Sequence, residues 1–559
     1  MFNLNLRHIL WRATRLFGKK HLVERRPDGS ISRTTYFELN DMVRKLAYAL
    51  TSTLSLGKGE RVASMCWNTL KHLAMHFAVP LAGLVLHTVN LRFSDDQIVY
   101  SINKARDRVV FVDPDMLPTL QRVYDRLETV EKVIVTEPAS PPEGLKTLSF
   151  DDLVKKADSS YEFADPDEND PALLCFTTGT TGAPKGVMYT HRGVFLRALA
   201  TGLADTYSLS EKDTVLNVVP MYHISSWFIP YAAALFGSSQ VFPGPHPTPK
   251  TILDLVLSEK VTVSDGVPTV WLDVLNYAKS LNIDRLGSLR RIIVGGSAVP
   301  EALIRSYGEL GVEVIHAWGM TETYDSAIAT YIKSYLAGES GAEIKLRKKQ
   351  GLPFPCIEVD LIDESGRRQP WDGKSVGELI IRGAWVIDSY YEGPIKESHI
   401  DGWFRTGDVV TIDPEGYVEI VDRLKDLIKS GGEWISSIEL ENAIMGHPAV
   451  REAAVVGIRH PRWGERPLAL VALKEGQTLS KEELIEYLSS KHFPKYWLPD
   501  EVIFVENVPK TSVGKFDKKL IRQIYEKLVP TKGPRLSLRR APQPCRTYSP
   551  CTTLFCSLP

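Results

Sequence analysis

Thr177-Thr178-Gly179-Thr180-Thr181-Gly182-Ala183-Pro184-Lys185-Gly186-Val187 packs four threonines, three glycines and one lysine into eleven residues. An apolar run, Ala172 to Phe176, leads in, and Val187-Met188-Tyr189 leads out toward a helix beginning near Thr190. Hydroxyls, unhindered backbone N–H groups and one cation make a loop able to curl around a polyphosphate. It is not a Walker A loop, which needs G-x-x-x-x-G-K-[ST]: here Gly186 follows Lys185. The bland alternative is a solvated Gly/Thr turn between strands.

Outward from this loop, residues 1–421 alternate short β-like runs with amphipathic helices. Examples are Arg61–Met65 then Leu70–Ala82, Val109–Val112 then Leu117–Leu127, and Val261–Ser264 then Val270–Leu281. Such alternation predicts an α/β fold with largely parallel sheets. Between Gly351 and Gly383 the pattern shifts to short alternating strands broken at Asp363-Glu364-Ser365-Gly366 and Asp372-Gly373, which predicts an antiparallel or β-barrel-like subdomain. A charged string, Asp422-Arg423-Leu424-Lys425-Asp426, reads as a hinge. Residues 427–532 read as a small α+β domain, with helices over Ser437–Met445 and Lys481–Ser490 and strands over Val450–Ile458, Leu468–Leu473 and Val502–Val505. The stretch 533–559 has no acidic residue, is rich in Pro, Ser, Arg and Cys, and is expected to be a disordered or weakly ordered tail.

Bulk properties narrow the function. A chain of 559 residues forms more than one domain. The net charge of −1 gives no global field for nucleic acid. The longest apolar runs, Phe77–Leu86 and Trp227–Gly237, are too short to span a bilayer and read as buried core. Cys66, Cys175 and Cys356 lie far apart in apolar surroundings, no Cys/His cluster offers a zinc site, and the usage fits a reducing cytoplasm. Residues 1–21 are basic, with Arg7, Arg12, Arg15, Lys19 and Lys20. They read as a transit peptide or, preferably, as an amphipathic helix (Leu6, Ile9, Leu10, Ala13, Leu16, Phe17) running into a strand at Leu22-Val23.

Four more segments carry chemistry. His316-Ala317-Trp318-Gly319-Met320-Thr321-Glu322-Thr323 offers a ring, a hydroxyl and a hard oxygen ligand, and is preceded by Arg291–Val294 running into Gly295-Gly296-Ser297. Trp403-Phe404-Arg405-Thr406-Gly407-Asp408 ends in a carboxylate acceptor. Asp422-Arg423-Leu424-Lys425-Asp426 continues to Lys429-Ser430-Gly431-Gly432, and Pro509-Lys510-Thr511-Ser512-Val513-Gly514-Lys515 ends in a mobile cation. Each alone could be a solvated turn.

Taken in order between Thr177 and Lys519, these segments resemble the adenylate-forming superfamily of acyl-CoA synthetases, luciferases and adenylation domains. The resemblance implies a large N-terminal domain binding ATP and acid, with a small mobile C-terminal domain. It assigns ATP or AMP binding to Thr177, Thr178, Gly179, Thr180, Thr181, Gly182, Lys185, Gly295, Gly296, Ser297, Trp318, Gly319, Thr321, Asp408, Arg423 and Lys515. Catalytic roles fall to Lys515, Thr321, Glu322 and His223, and Mg²⁺ to Thr177 and Glu322. Lys425 takes the hinge position, and Gly431, Gly432 and Lys429 the passage for coenzyme A. Trp318 stands where the family more often has Tyr, and Asp388-Ser389-Tyr390-Tyr391 where Gly-Tyr-Tyr is usual.

By the same resemblance, the segment Val219-Pro220-Met221-Tyr222-His223-Ile224-Ser225-Ser226-Trp227 would face the acid. Amino-acid-activating relatives carry an Asp at the position of His223; without it a buried ammonium would have no counter-charge, so amino acids are disfavoured. The apolar surroundings suit an acyl tail, each buried CH₂ contributing ~0.8 kcal/mol. The string is similar to medium- and long-chain fatty acyl-CoA synthetases of bacteria and archaea, whose Trp at the position of Trp227 gates the acyl tunnel. The resemblance thus implies a ligase using ATP, Mg²⁺ and coenzyme A on a fatty acid. A ligase for another apolar acid (aryl or short thioether) and a non-catalytic nucleotide-binding homologue are the alternatives. It admits a homodimer and peripheral membrane association.

Overall fold

The computed structural model describes residues 2–177, 183–338, 341–393, 398–431, 433–491, 493–510 and 516–526. Thr178, Gly179, Thr180, Thr181, Gly182, Gly432, Lys515 and the tail expected over 533–559 lie outside the described residues.

Two large sheets carry most of the chain. A seven-stranded sheet runs Thr147–Ser149, Lys132–Val135, Asp107–Val112, Arg61–Met65, Val85–Thr88, Pro171–Phe176 and Gly186–Thr190; only the last pair is antiparallel. A nine-stranded sheet has a parallel centre, including Thr214–Leu216, Val263–Gly266, Arg291–Gly295 and Glu313–Met320. It ends at one side in the antiparallel strands Asp325–Ala329 and Leu352–Pro353, and at the other in the hairpin His21–Arg25/Ile31–Thr35. Parallel strands flanked by helices are the α/β architecture expected from the alternation.

One core cluster joins both sheets, from Val62 and Leu173 on the first to Val215, Ile293 and Ile315 on the second. At its centre is the helix Leu70–Leu81, capped by the Thr69 side chain and buried at nearly every position. Its two histidines are tolerated because both have partners: His72 bonds Ser64 Oγ at 3.0 Å and His76 bonds Tyr231 Oη at 2.8 Å. Burial holds His72 neutral, its pKa lowered to about 4. The basic N-terminus forms the amphipathic helix Leu6–Arg15, burying Leu6, Ile9, Leu10 and Ala13.

Boundaries differ from expectation where capping decides them. The helix expected from Val270 begins at Pro268, because proline's missing N–H costs nothing in the first turn. The strand expected at Val261 begins at Val263, where the parallel ladder with Arg291–Gly295 starts. The region of short strands forms a five-stranded antiparallel sheet built on Ile357–Ile362, Gly377–Gly383 and Trp403–Ile412. Among the described residues no ladder joins Ile357–Ile362 to Val418–Arg423, so the barrel-like unit is an open sheet here.

The smaller C-terminal part is a further five-stranded sheet, chiefly the long hairpin Val450–His460/Gly464–Leu473. Helices Ser437–Met445, Lys481–Ser490 and Lys518–Glu526 accompany it. Its apolar residues form two clusters of their own, around Leu440 and Val471 and around Val456 and Ile521. Among the described residues, no helix is long and apolar enough to cross a membrane.

Phe77 is fully buried between the sheets. Phe77→Ala should cost ~3–5 kcal/mol and lower the denaturation midpoint accordingly, read by urea titration; an unchanged midpoint would contradict the shared core.

Candidate active site

The antiparallel pairing of Pro171–Phe176 with Gly186–Thr190 brings together the two ends of the Gly/Thr loop. The Thr177 N–H donates to the Lys185 carbonyl at 2.9 Å, and the Lys185 N–H donates to Thr177 Oγ1 at 3.1 Å. From this clamp the Lys185 ammonium reaches 4.7 Å from the centre of the Tyr390 ring. Tyr390 Oη donates in turn to Glu322 Oε1 at 2.6 Å, and the Tyr391 N–H donates to the Gly186 carbonyl at 2.8 Å. Thr177, Lys185, Tyr390 and Glu322 are therefore linked, and the Tyr-Tyr pair noted in the sequence only as a departure supplies the link. Glu322 is buried, and burial pushes its carboxyl up while Tyr390, Arg423 and Lys185 pull it back.

Glu322 lies in the turn Thr321–Thr323, just after the strand Glu313–Met320. The Thr321 carbonyl accepts from Tyr189 Oη at 2.9 Å, and the Glu322 carbonyl from the Ile387 N–H at 3.0 Å. The strand slips register between Trp318 and Gly319. A Cβ on Gly319 would come 1.8 Å from the Asp325 carbonyl oxygen, so only glycine fits the bulge. Trp318 Nε1 donates to Asp408 Oδ2 at 2.8 Å, and Arg423 Nε pairs with Asp408 Oδ1 at 3.0 Å. A carboxylate has about four acceptor sites, so these two bonds leave capacity for a ligand's hydroxyls. Gly296, Ser297, Trp318, Gly319, Asp408 and Arg423 line a cavity of about 90 Å³, which Ile438 of the C-terminal part also borders.

A second cavity, of about 250 Å³ and mainly apolar, shares Gly296, Ala317 and Gly319 with the first. His223 and Trp227 both line it. A Cβ on Gly295 would stand 2.7 Å from the Ala317 carbonyl oxygen and 3.5 Å from the Trp227 ring, so the indole lies against the Gly-Gly-Ser turn. Trp227 sits in a run of five left-handed residues, Ile224 to Phe228, with φ of 38, 39, 55, 54 and 58°. Left-handed backbone costs roughly 1–2 kcal/mol per residue. The run is held by Ser226 Oγ donating to the Val219 carbonyl at 2.8 Å and by Phe228 packed 5.4 Å from Tyr189 and 5.7 Å from Tyr324.

Beside this cavity lies a buried polar network that the sequence reading missed. Arg197 is fully buried against the rings of Tyr207 and Phe354, and its Nη2 lies 3.4 Å from Asp325 Oδ2. Asp325 lines the cavity. Fully buried Asp265 accepts from the Val218 and Val219 N–H groups at 2.9 and 2.6 Å. Burial raises its pKa from 3.8 to about 8; the two amides pull it down and Asp325 pushes it further up. Asp265-Gly266, at the end of the short run Val261–Ser264, reads locally as a turn, so the sequence carried no signal for it.

Other expected residues stand apart. Gly431 turns the hairpin Ile428–Ser430/Glu433–Ile435, and its N–H donates to the Trp463 carbonyl at 2.7 Å. Lys429 lies 4.1 Å from the Trp434 ring centre and 3.1 Å from Glu364 Oε1. Neither lines either cavity. Lys425 sits in the turn closed by the Asp426 N–H on the Arg423 carbonyl, at 2.8 Å.

Two cavities that share one wall, one bordered by Asp408 and Arg423 and the other mainly apolar, suit an enzyme that activates an acid with a nucleotide. The chain belongs to the AMP-binding enzyme family: the family model matches residues 10–391, and that of the AMP-binding enzyme C-terminal domain matches 439–515. It is 46% identical to a long-chain-fatty-acid–CoA ligase of Thermus thermophilus, over 94% of this chain and 96% of the relative. It is 40% identical to a medium-chain-fatty-acid–CoA ligase of Ectopseudomonas oleovorans, over 92% and 94%. Among solved structures, the anthranilate CoA ligase AuaEII with anthranoyl-AMP superposes with a TM-score of 0.83 at 25% identity, covering 94% of this chain and 97% of that one.

Asp265 keeps its proton in the folded protein up to about pH 8, whereas the unfolded chain loses it near 3.8. The folded state thus binds more protons between these limits, and stability drains away as pH rises through them. Asp265→Asn keeps an acceptor without the charge, so its gain in Tm over wild type should grow from pH 5 to pH 9. A gain independent of pH would contradict the assignment.

Proposed function

We propose that the protein is an AMP-forming acid–thiol ligase that activates a medium- or long-chain fatty acid and transfers it to coenzyme A. The observation carrying this reading is the shared wall of Gly296, Ala317 and Gly319, which sets an apolar cavity beside the hydrogen-bonding set of Trp318, Asp408 and Arg423. In the first step a substrate carboxylate oxygen attacks the α-phosphorus of ATP and pyrophosphate leaves. The enzyme needs no nucleophile of its own; it aligns the reactants and places positive charge on the phosphate oxygens. Lys185 and Lys515 provide that charge, Asp408 takes the ribose hydroxyls, and Trp318 and the Gly295-Gly296-Ser297 turn flank the base. In the second step the thiolate of coenzyme A attacks the acyl carbonyl carbon, and AMP leaves.

The donor set fits Mg²⁺. Among the described residues no group of three or more His, Cys, Asp or Glu could hold a metal, and the fitting donor is one buried carboxylate, Glu322, with the Thr177 hydroxyl beside the loop. Mg²⁺ is held in this way, by one or two carboxylates together with substrate phosphates. When bound it would neutralise charge on the phosphates. Residues 1–421 would form the adenylating domain and 427–532 a domain turning about Lys425, withdrawing Lys515 and presenting Gly431, Gly432 and Lys429 to the pantetheine arm. His223 would border the acid's carboxylate, with Thr321 beside the phosphates.

A relative named 3-methylmercaptopropionyl-CoA ligase, 39% identical, keeps a short thioether acid as a second reading. The intact charged set Lys185, Glu322, Asp408, Arg423 and Lys515 argues against a non-catalytic homologue.

Pyrophosphate release should appear with aliphatic acids, MgATP and coenzyme A, and aryl or thioether acids in the same panel separate the second reading. Lys515→Ala should abolish acyl-AMP formation yet leave thioester formation from supplied acyl-AMP largely intact; equal loss of both would contradict the assigned role. Trp227→Ala should change the acid KM and chain-length profile, and an unchanged profile would remove the gate.

A further inference from the structure

Where the chain leaves the strand Thr214–Leu216 it departs from the sheet, and its last ladder-like bond is the Asn217 N–H on the Val241 carbonyl at 3.0 Å. The next residues, Val218, Val219 and Pro220, line the acyl-side cavity. Val218 and Val219 are buried, and a polar backbone group left unpaired there would be destabilising.

Two side chains from different parts of the fold take them up. Asn68 follows the strand Arg61–Met65 of the seven-stranded sheet and is 3% exposed. Its Nδ2 donates to the Asn217 and Val219 carbonyls, both at 2.8 Å, and its Oδ1 accepts from the Met221 N–H at 2.7 Å. An amide is suited to this because it carries donors and an acceptor on one rigid plane. From the other side, Asp265 Oδ1 takes the Val218 and Val219 N–H groups. The Val219 carbonyl is shared: besides Asn68 it accepts Ser226 Oγ, from the left-handed turn that carries Trp227.

We infer that Asn68, with Asp265 opposite it, is a positioning residue for acyl selectivity: it fixes the Val218–Met221 wall and, through the shared Val219 carbonyl, the turn bearing Trp227. The inference rests on the proposed ligase reading and deepens it. Asn68 joins the two large sheets at the cavity, so loosening it widens the range of tails that fit while the nucleotide cavity around Asp408 keeps its own bonds.

The test is steady-state pyrophosphate release with straight-chain acids from butyrate to palmitate, for wild type, Asn68→Ala, Asp265→Leu and Asp265→Asn, with the KM for ATP measured alongside. Asn68→Ala and Asp265→Leu should each raise the KM of the preferred acid roughly tenfold, the effect of about one lost buried hydrogen bond. Both should flatten the chain-length profile and leave the KM for ATP within about twofold of wild type. Asp265→Asn, which keeps an acceptor, should return toward the wild-type profile. Should Asn68→Ala not fold, Asn68→Ser makes the same comparison. An unchanged profile in an active Asn68 variant, or a KM for ATP rising in step with that of the acid, overturns the inference alone. A wild type inert to every acid overturns the ligase reading and the inference with it.

Discussion

The carboxylate of Asp408 is the fastening on which the nucleotide side of the molecule depends. It receives the indole N–H of Trp318 from the nine-stranded sheet and the guanidinium of Arg423 from the strand that runs toward the C-terminal part. Asp408 thus ties its cross-strand partner Arg423 to Trp318, 90 residues away in the chain. The buried indole N–H of Trp318, left without an acceptor there, would cost about 1–3 kcal/mol, while the Arg423 guanidinium is partly open to solvent. The set also prepares a charged, hydrogen-bonding surface before any ligand arrives, and preorganisation of that kind lowers the cost of binding.

The second constraint is steric. Gly319 and Gly295 have backbone neighbours at distances no Cβ could share, and the residues around them form the wall common to the polar and apolar cavities. On the proposed reading, a carboxylate at that wall would have its tail on the apolar side and its reacting oxygen toward the phosphates. Trp227 lines the apolar cavity against Gly295, on a backbone conformation kept in place by Ser226, Tyr189 and Tyr324. Left-handed backbone of this kind persists only where the surrounding structure over-determines it.

Much of this was legible in the sequence, because its signals are local. The alternation of apolar runs and amphipathic helices marked the layered α/β body, and the spacing within the Thr177–Val187, His316–Thr323 and Trp403–Asp408 segments marked the polar residues that gather in space. What stayed hidden depends on partners far along the chain. Asn68 is 149 residues from Asn217 and looks like any polar residue at the end of a strand. Tyr390 lies 68 residues from Glu322, and its role follows only once the Tyr391 N–H is seen on Gly186. The left-handed run Ile224–Phe228 has no local signature, since its φ values are imposed by packing and not by glycine or asparagine. Asp265, followed by a glycine, looks locally like a turn residue, yet its carboxyl accepts backbone N–H groups that a departing strand leaves behind.

The claim that binds these observations is that one wall brings an aliphatic carboxylate and the α-phosphate of ATP into contact. Isotopic exchange between pyrophosphate and ATP, measured with Mg²⁺ and a fatty acid but no coenzyme A, tests it most directly. The account predicts exchange that depends on the acid and needs no thiol. Exchange absent with every acid, or seen only when coenzyme A is added, would contradict it.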